Sequence, residues 1–294
     1  MKASTKGALY VILSAVIFGC MPLMSKFIYQ GGVNAITLVL LRNALALPAL
    51  AVILAIKKEP MAVTWVQAKK LTLLSLVGIM LTPVLLFSSY NFIPSGMATT
   101  VHFVYPVFVL VLCVVFWKEK LSIGKLMCVL LCTAGILAFY EPGQQSNIGG
   151  ILIAFASGVT FAIYLVYLEK CRLGKMHPYK SMFYMASICS VGLLVGLLAT
   201  GNLALPQDGK TWLLCVVFSL SLTLGATVLL QVGVQMIGSQ KAAILSTFEP
   251  ITSVVVGVAV FREQLTARNV IGVALILAAV ILLTKLKENK NAGA

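Results

Sequence analysis

Glu249 and His102 are the titratable groups set deepest in the apolar stretches of this sequence. Glu249 is the one acidic residue of eight that falls near the centre of such a stretch. An ionisable group at membrane depth is costly, and it faces the protein interior or a water-filled path. A carboxyl there binds a cation or carries a proton, and desolvation draws it toward its neutral form, which suits proton coupling. Glu249 is therefore the coupling candidate. Pro250 follows it, and Pro106 stands four residues after His102. Proline removes an N–H and clashes with the turn before it, so each one predicts a kink and a freed carbonyl, those of Ser246 and His102. Freed backbone at this depth is tolerated where it lines a cavity. The same features also arise from plain packing, and for His102 a hydrogen bond across a helix interface is an equal reading. Arg42 either pairs with Glu249 or with the end of a neighbouring helix, or it snorkels to the outer interface on its long stem.

Weaker polar stripes accompany these groups. Thr223, Thr227, Gln231 and Gln235 recur every four residues, and Ser75, Gly78, Thr82 and Ser89 share a helical face. Small and hydroxyl residues of this kind also mediate helix packing in lipid. Gln231 is the member taken forward as a site residue. Tyr90, Tyr105, Phe161 and Tyr164 offer an aromatic lining. The candidate substrate-binding set is thus Glu249, His102, Tyr105, Gln231, Tyr164 and Tyr90. No metal site is expected, because no His-Glu-x-x-His occurs and no acids and histidines cluster at one depth. No phosphate-binding loop or nucleophile elbow is present either, so no cofactor and no enzyme activity are expected.

The elements that must hold these residues are membrane helices. Hydrophobic residues make up 60% of the chain and charged ones 10%, with mean hydropathy +1.03. Soluble domains carry about 25% charged residues. Ten stretches suffice to span a bilayer: 7–28, 35–56, 69–90, 95–117, 122–140, 149–168, 180–200, 211–235, 240–261 and 267–285. The first is read as an uncleaved span rather than a signal peptide. Of 22 Lys and Arg residues, only Lys26, Lys210, Arg262 and Arg268 fall on the side opposite the N-terminus, with Arg42 inside a stretch. That bias predicts both termini in the cytoplasm. It also accounts for the net charge of +14 without nucleic acid. The seven cysteines include no Cys-x-x-Cys pair and read as small packing residues.

The chain repeats itself at an offset of 144 residues. Pro106 and Glu119 in Trp117-Lys118-Glu119-Lys120-Leu121 answer Pro250 and Glu263 in Phe261-Arg262-Glu263-Gln264-Leu265, and Ser95 answers Ser239. Tyr105 answers Glu249, and His102 answers Ser246. Five spans per unit is odd, so the second unit is inverted, an architecture common in secondary transporters. The predicted units are 7–141 and 148–285, followed by a short polar cytoplasmic tail, 286–294. Glu119 and Glu263 read as turn-fixing residues, and Ser95 and Ser239 as N-caps.

With ten spans, this inverted repeat and the Pro…Glu-x-Leu pattern, the chain resembles the EamA family of the drug/metabolite transporter superfamily. Lys118 and Arg262 stand where the family pattern has Gly, and Cys128 and Ala279 replace one later Gly in each unit. The resemblance implies a transporter of small metabolites, often amino acids and often exported, with helices 3, 4, 8 and 9 around a central cavity. The combined expectation is an all-α integral membrane protein of a bacterial inner (plasma) membrane. It would work as a secondary transporter by alternating access, with proton coupling at Glu249. A passive facilitator or channel is the alternative, and an intramembrane enzyme a lesser one. The partners expected are a small-molecule substrate, a proton and the lipid bilayer. Whether two copies form a homodimer is left open by the sequence.

Overall fold

A computed structural model describes residues 3–120, 122–138, 147–171, 173, 176–261 and 266–285. Among the described residues the secondary structure is helical, with no strand. Seven helices are long and apolar enough to cross a membrane: α1 (Ser4–Gln30), α2 (Ala35–Ile56), α3 (Trp65–Ser89), α4 (Ser95–Trp117), α6 (Ile148–Lys170), α7 (Pro178–Thr200) and α8 (Gly209–Ile237). Helix α5 (Ile123–Ala138) is shorter and apolar. Helix α9 consists of two segments, Ser239–Leu245 and Phe248–Phe261, and α10 covers Ala267–Lys285. Positions 139–146, the tail 286–294 and the residues Arg262 and Glu263 lie outside the described residues.

Four helices are interrupted, each just before a proline. The breaks fall at Cys20 in α1, Leu45-Ala46 in α2, Phe103-Val104 in α4 and Ser246-Thr247 in α9, ahead of Pro22, Pro48, Pro106 and Pro250. A proline placed in the first turn of the next segment forfeits no helical hydrogen bond. The sequence predicts that Pro250 frees the carbonyl of Ser246. Instead the N–H of Glu249 donates to it at 3.0 Å, and the Ser246 hydroxyl turns back to the carbonyl of Ala242 at 2.9 Å. A buried carbonyl without a donor is costly, so the turn tightens onto it.

Helices α3 and α8 each contain a π-helical stretch, Ser75–Leu81 and Leu220–Thr227. One threonine closes each of them. The Thr82 hydroxyl donates to the carbonyl of Val77, and the Thr227 hydroxyl to that of Leu222, both at 2.8 Å. Each bond reaches five residues back, one more than an α-helix spans. Such wide turns collect at functional sites.

The two halves are interwoven. Helix α1 packs on α8 and α9, while α6 packs on α3 and α4. The Ser75 hydroxyl donates to the carbonyl of Met185 and the Ser219 hydroxyl to that of Arg42, each at 2.6 Å. These two bonds dock α3 on α7 and α8 on α2 in the same way. Helices α5 and α10 cross closely: a Cβ on Gly135 would lie 2.8 Å from the carbonyl oxygen of Gly272. Cys128 and Ala279, fully buried, are the small residues related to this pair by the repeat. Large apolar side chains such as Ile56, Phe116, Ile148 and Leu198 face outward, as lipid contact requires. Between α7 and α8, Asp208 caps α8 by accepting from the N–H and hydroxyl of Thr211. Those bonds hold its carboxyl below the usual carboxylate range.

The predicted N-caps at Ser95 and Ser239 are corrected. Pro94 and Gly238 occupy the cap positions, the latter at φ +82°. Ser239 is the first helical residue, and its N–H and hydroxyl donate to Glu169.

Candidate functional site

The interrupted helices and the two π-helical stretches converge on one cavity of about 530 Å³, its open mouth included. Seven helices line it. Phe18 and Met21 come from the break in α1, Arg42 from α2, and Gly78, Ile79, Thr82, Pro83 and Leu86 from α3. His102 ends the first segment of α4, Phe161 and Tyr164 come from α6, Thr227 and Leu230 from α8, and Glu249 from α9.

Glu249 is half-buried, and among the described residues its carboxylate accepts no hydrogen bond and joins no ion pair. Arg42 is 8% exposed. One guanidinium N–H donates to the Thr227 hydroxyl at 3.0 Å, and the group lies 5.6 Å from the centre of the Phe18 ring. Its Nε has no partner among the described residues. The snorkelling reading of Arg42 is therefore set aside: its side chain is held inside the bundle. The cavity thus presents a guanidinium and a carboxyl that do not pair with each other. Buried charges are normally neutralised by a partner, so both retain capacity for a ligand.

His102 supplies a neutral wall. Its Nδ1 lies 2.8 Å from the Ser157 hydroxyl, which itself donates to the carbonyl of Ala154 at 2.6 Å. With that proton committed, the imidazole N–H sits on Nδ1 and donates, which leaves Nε2 as an acceptor. The ring packs against Phe161 and Tyr105, with centroids 5.4 and 5.5 Å away.

The predicted residues divide. Glu249, His102 and Tyr164 line the cavity together. Tyr105 lies behind the wall, edge-on to Phe161 with centroids 4.8 Å apart, and its hydroxyl faces Ser246 without closing a hydrogen bond. Gln231 is buried between helices, accepting from the Ser181 hydroxyl at 3.2 Å. Tyr90 packs on Phe87, and its hydroxyl faces Thr99 without bonding. Thr82, Thr227, Gly78 and Phe18 line the cavity without having been singled out as ligand-facing. The Thr82-Pro83 dipeptide at the centre of an apolar stretch was the available signal for the first.

Gly78 is required by Tyr164. A Cβ there would lie 2.0 Å from a ring carbon of Tyr164. Gly78→Ala is expected to push that ring into the cavity and to cost about 1–3 kcal/mol of stability, the usual range for overpacking. Thermal unfolding in detergent measures the loss, and adding Tyr164→Leu should restore most of it.

A model of the EamA-like transporter family matches residues 5–140 and 148–285. An uncharacterized transporter of Archaeoglobus fulgidus is 28% identical over 277 residues, covering 94% of this chain and 95% of that protein. An uncharacterized transporter of Synechocystis is 29% identical over 221 residues, which span 71% of this chain and 65% of the relative. Mouse solute carrier family 35 member G1 is 24% identical, with 87% and 72% of the two chains covered. One solved crystal structure has the same fold, with a TM-score of 0.75 at 16% identity over 98% of this chain and 99% of that one.

Proposed function

The chain belongs to the EamA-like transporter family, and we propose that it is a secondary transporter exporting amino acids or related zwitterions by proton-coupled alternating access. In this reading it crosses a bacterial plasma membrane ten times, as two inverted five-helix units (7–141 and 148–285), with both ends cytoplasmic. The observation that carries the substrate class is the unpaired couple Arg42 and Glu249 on one cavity. A zwitterion places its carboxylate against the guanidinium fork and its ammonium against the carboxylate. The apolar and aromatic wall of Leu86, Phe161 and Tyr164 accommodates a side chain.

Coupling follows from one carboxylate serving two cations. Glu249 holds either a proton or the substrate ammonium, not both. Protonation from the outside expels the amine, and deprotonation toward the inside prepares the next binding event. Acid outside therefore speeds export, and alkali outside slows it. A channel or passive facilitator lacks this exchange.

Reconstituted vesicles preloaded with one amino acid and given a labelled trace of it outside test the reading. A carrier accumulates the label transiently above equilibrium, and a channel cannot. A panel of zwitterions, free amines and free acids should show counterflow for the zwitterions alone. Equal flux of all three classes, or none of any, would overturn the assignment.

A further inference from the structure

Outside the cavity, the ends of α4 and α6 and the start of α9 meet in a charged cluster. Lys170 Nζ lies 2.5 Å from Glu119 Oε1 and 3.0 Å from Glu169 Oε1. Glu169 Oε2 accepts the N–H of Ser239 at 2.7 Å and its hydroxyl at 2.5 Å. Gln240 Nε2 donates to Glu119 Oε2 at 2.8 Å. Lys70 of α3 donates from Nζ to the carbonyl of Cys171, at the end of α6, at 2.5 Å. Lys170 thus forms ion pairs with both Glu119 and Glu169. Glu119 and Lys70 come from the first half of the chain, and Glu169, Lys170, Ser239 and Gln240 from the second. The sequence-level reading of Glu119 as a local turn residue is replaced: its carboxylate spans the two halves.

The backbone is bent to make this contact. Lys118 adopts a left-handed conformation, φ 52° and ψ 30°. A side chain with a Cβ is strained there. The turn lets the N–H of Glu119 donate to the carbonyl of Cys113 at 3.2 Å and delivers its carboxylate to Lys170.

The cluster lies beyond one end of the cavity. Lys170 lies about 9 Å along α6 beyond Tyr164, and Ser239 about 15 Å along α9 before Glu249. Other lining residues, Arg42 and His102, sit in the first halves of α2 and α4, toward the opposite end of the bundle. We propose that Glu119, Lys170 and Glu169, with Ser239 and Gln240, form a lock at the lysine-rich end of the bundle, and that this lock must open once in each transport cycle. The proposal rests on the carrier reading above. While the lock is closed, α4, α6 and α9 are tied beneath the cavity. When it is broken, the cavity gains access to the lysine-rich side.

Cys113 reports the lock. It is fully buried, with its Sγ 3.7 Å from the Ser239 hydroxyl. In protein whose other cysteines are replaced by alanine or serine, a membrane-impermeant maleimide is added to either side of sealed vesicles. Glu119→Gln and Lys170→Met should each speed labelling of Cys113 from the lysine-rich side by about fivefold, the population shift that loss of a half-exposed ion pair brings. The exchanged pair, Glu119→Lys with Lys170→Glu, should slow it again toward the parent rate. Unchanged labelling in both single variants overturns the lock. So does equal acceleration from both sides, which signals unfolding rather than a gate. Acceleration confined to the opposite side also overturns the lock, because the cluster lies at the lysine-rich end; failure of the counterflow test with this labelling pattern intact would overturn the carrier reading and not the lock.

Discussion

Glu249→Gln is expected to abolish the response of transport to a pH gradient and to weaken binding of zwitterions by about 10- to 100-fold, the loss typical of a hydrogen bond to a charged group. Glutamine keeps the shape of the side chain but neither takes up a proton nor pairs with an ammonium. Both consequences arise because the same carboxylate is proposed to hold the two cations in turn. Glu249→Asp shortens the reach but keeps the chemistry, so coupling should survive with lower affinity. The measurement is substrate flux in vesicles at fixed substrate and varied pH on each side. A Glu249→Gln protein that still exports faster when the outside is acid would remove Glu249 from the coupling mechanism. The location of the carboxylate makes the experiment decisive: among the described residues no second acidic residue lines the cavity.

The repeat explains why these two charges stand out. Where the halves agree, the residues build the frame. Ser75 and Ser219 dock their helices by the same bond, and Thr82 and Thr227 close the same wide turn. The charged and titratable residues on the cavity stand where the halves differ. Arg42 corresponds to Met185, whose carbonyl accepts from Ser75 as that of Arg42 accepts from Ser219. Glu249 corresponds to Tyr105, and His102 to Ser246. The departures from symmetry give the site a chemical polarity.

Much of this was legible in the sequence because lipid imposes long apolar runs and the duplication marks equivalent positions. The positions of the long apolar helices, the breaks ahead of Pro106 and Pro250 and the placement of Glu249 and His102 on the cavity follow from those two facts. The faces of α3 and α8 were not legible. A face inferred from sequence assumes 3.6 residues per turn. The wide turns at Ser75–Leu81 and Leu220–Thr227 rotate everything beyond them. Gln231, four residues after the second one, therefore points at Ser181 rather than into the cavity. Ser246 was misjudged for another reason: its freed carbonyl and its hydroxyl were both satisfied within their own helix. The role of Glu119 was invisible because Lys170 lies 51 residues away in sequence, on the other repeat. The sequence does contain that charge pair twice, since the 144-residue offset carries Lys170 onto Lys26 and Glu119 onto Glu263.

Arg42→Gln is expected to lower affinity for zwitterions by about 100-fold, toward the upper range for loss of a charge-assisted pair, and to leave affinity for the corresponding amine without a carboxylate nearly unchanged. The argument depends on what the side chain does not do. The bonds that dock α2 on α8 run through the backbone carbonyl of Arg42, from Ser219 and Thr223, and a substitution preserves them. The guanidinium itself spends one N–H on Thr227 and lies over Phe18, with Nε unbonded among the described residues. Glutamine still reaches the size and polarity of that niche, so the fold should persist. Arg42→Lys restores a point charge without the planar fork and should recover only part of the affinity. Competition of a zwitterion and its decarboxylated amine for labelled substrate, in parent and variant, yields the comparison directly. If Arg42→Gln weakens both competitors alike, the residue shapes the cavity but does not hold the carboxylate. The zwitterion reading would then rest on Glu249 alone, which cannot distinguish an amino acid from any other amine.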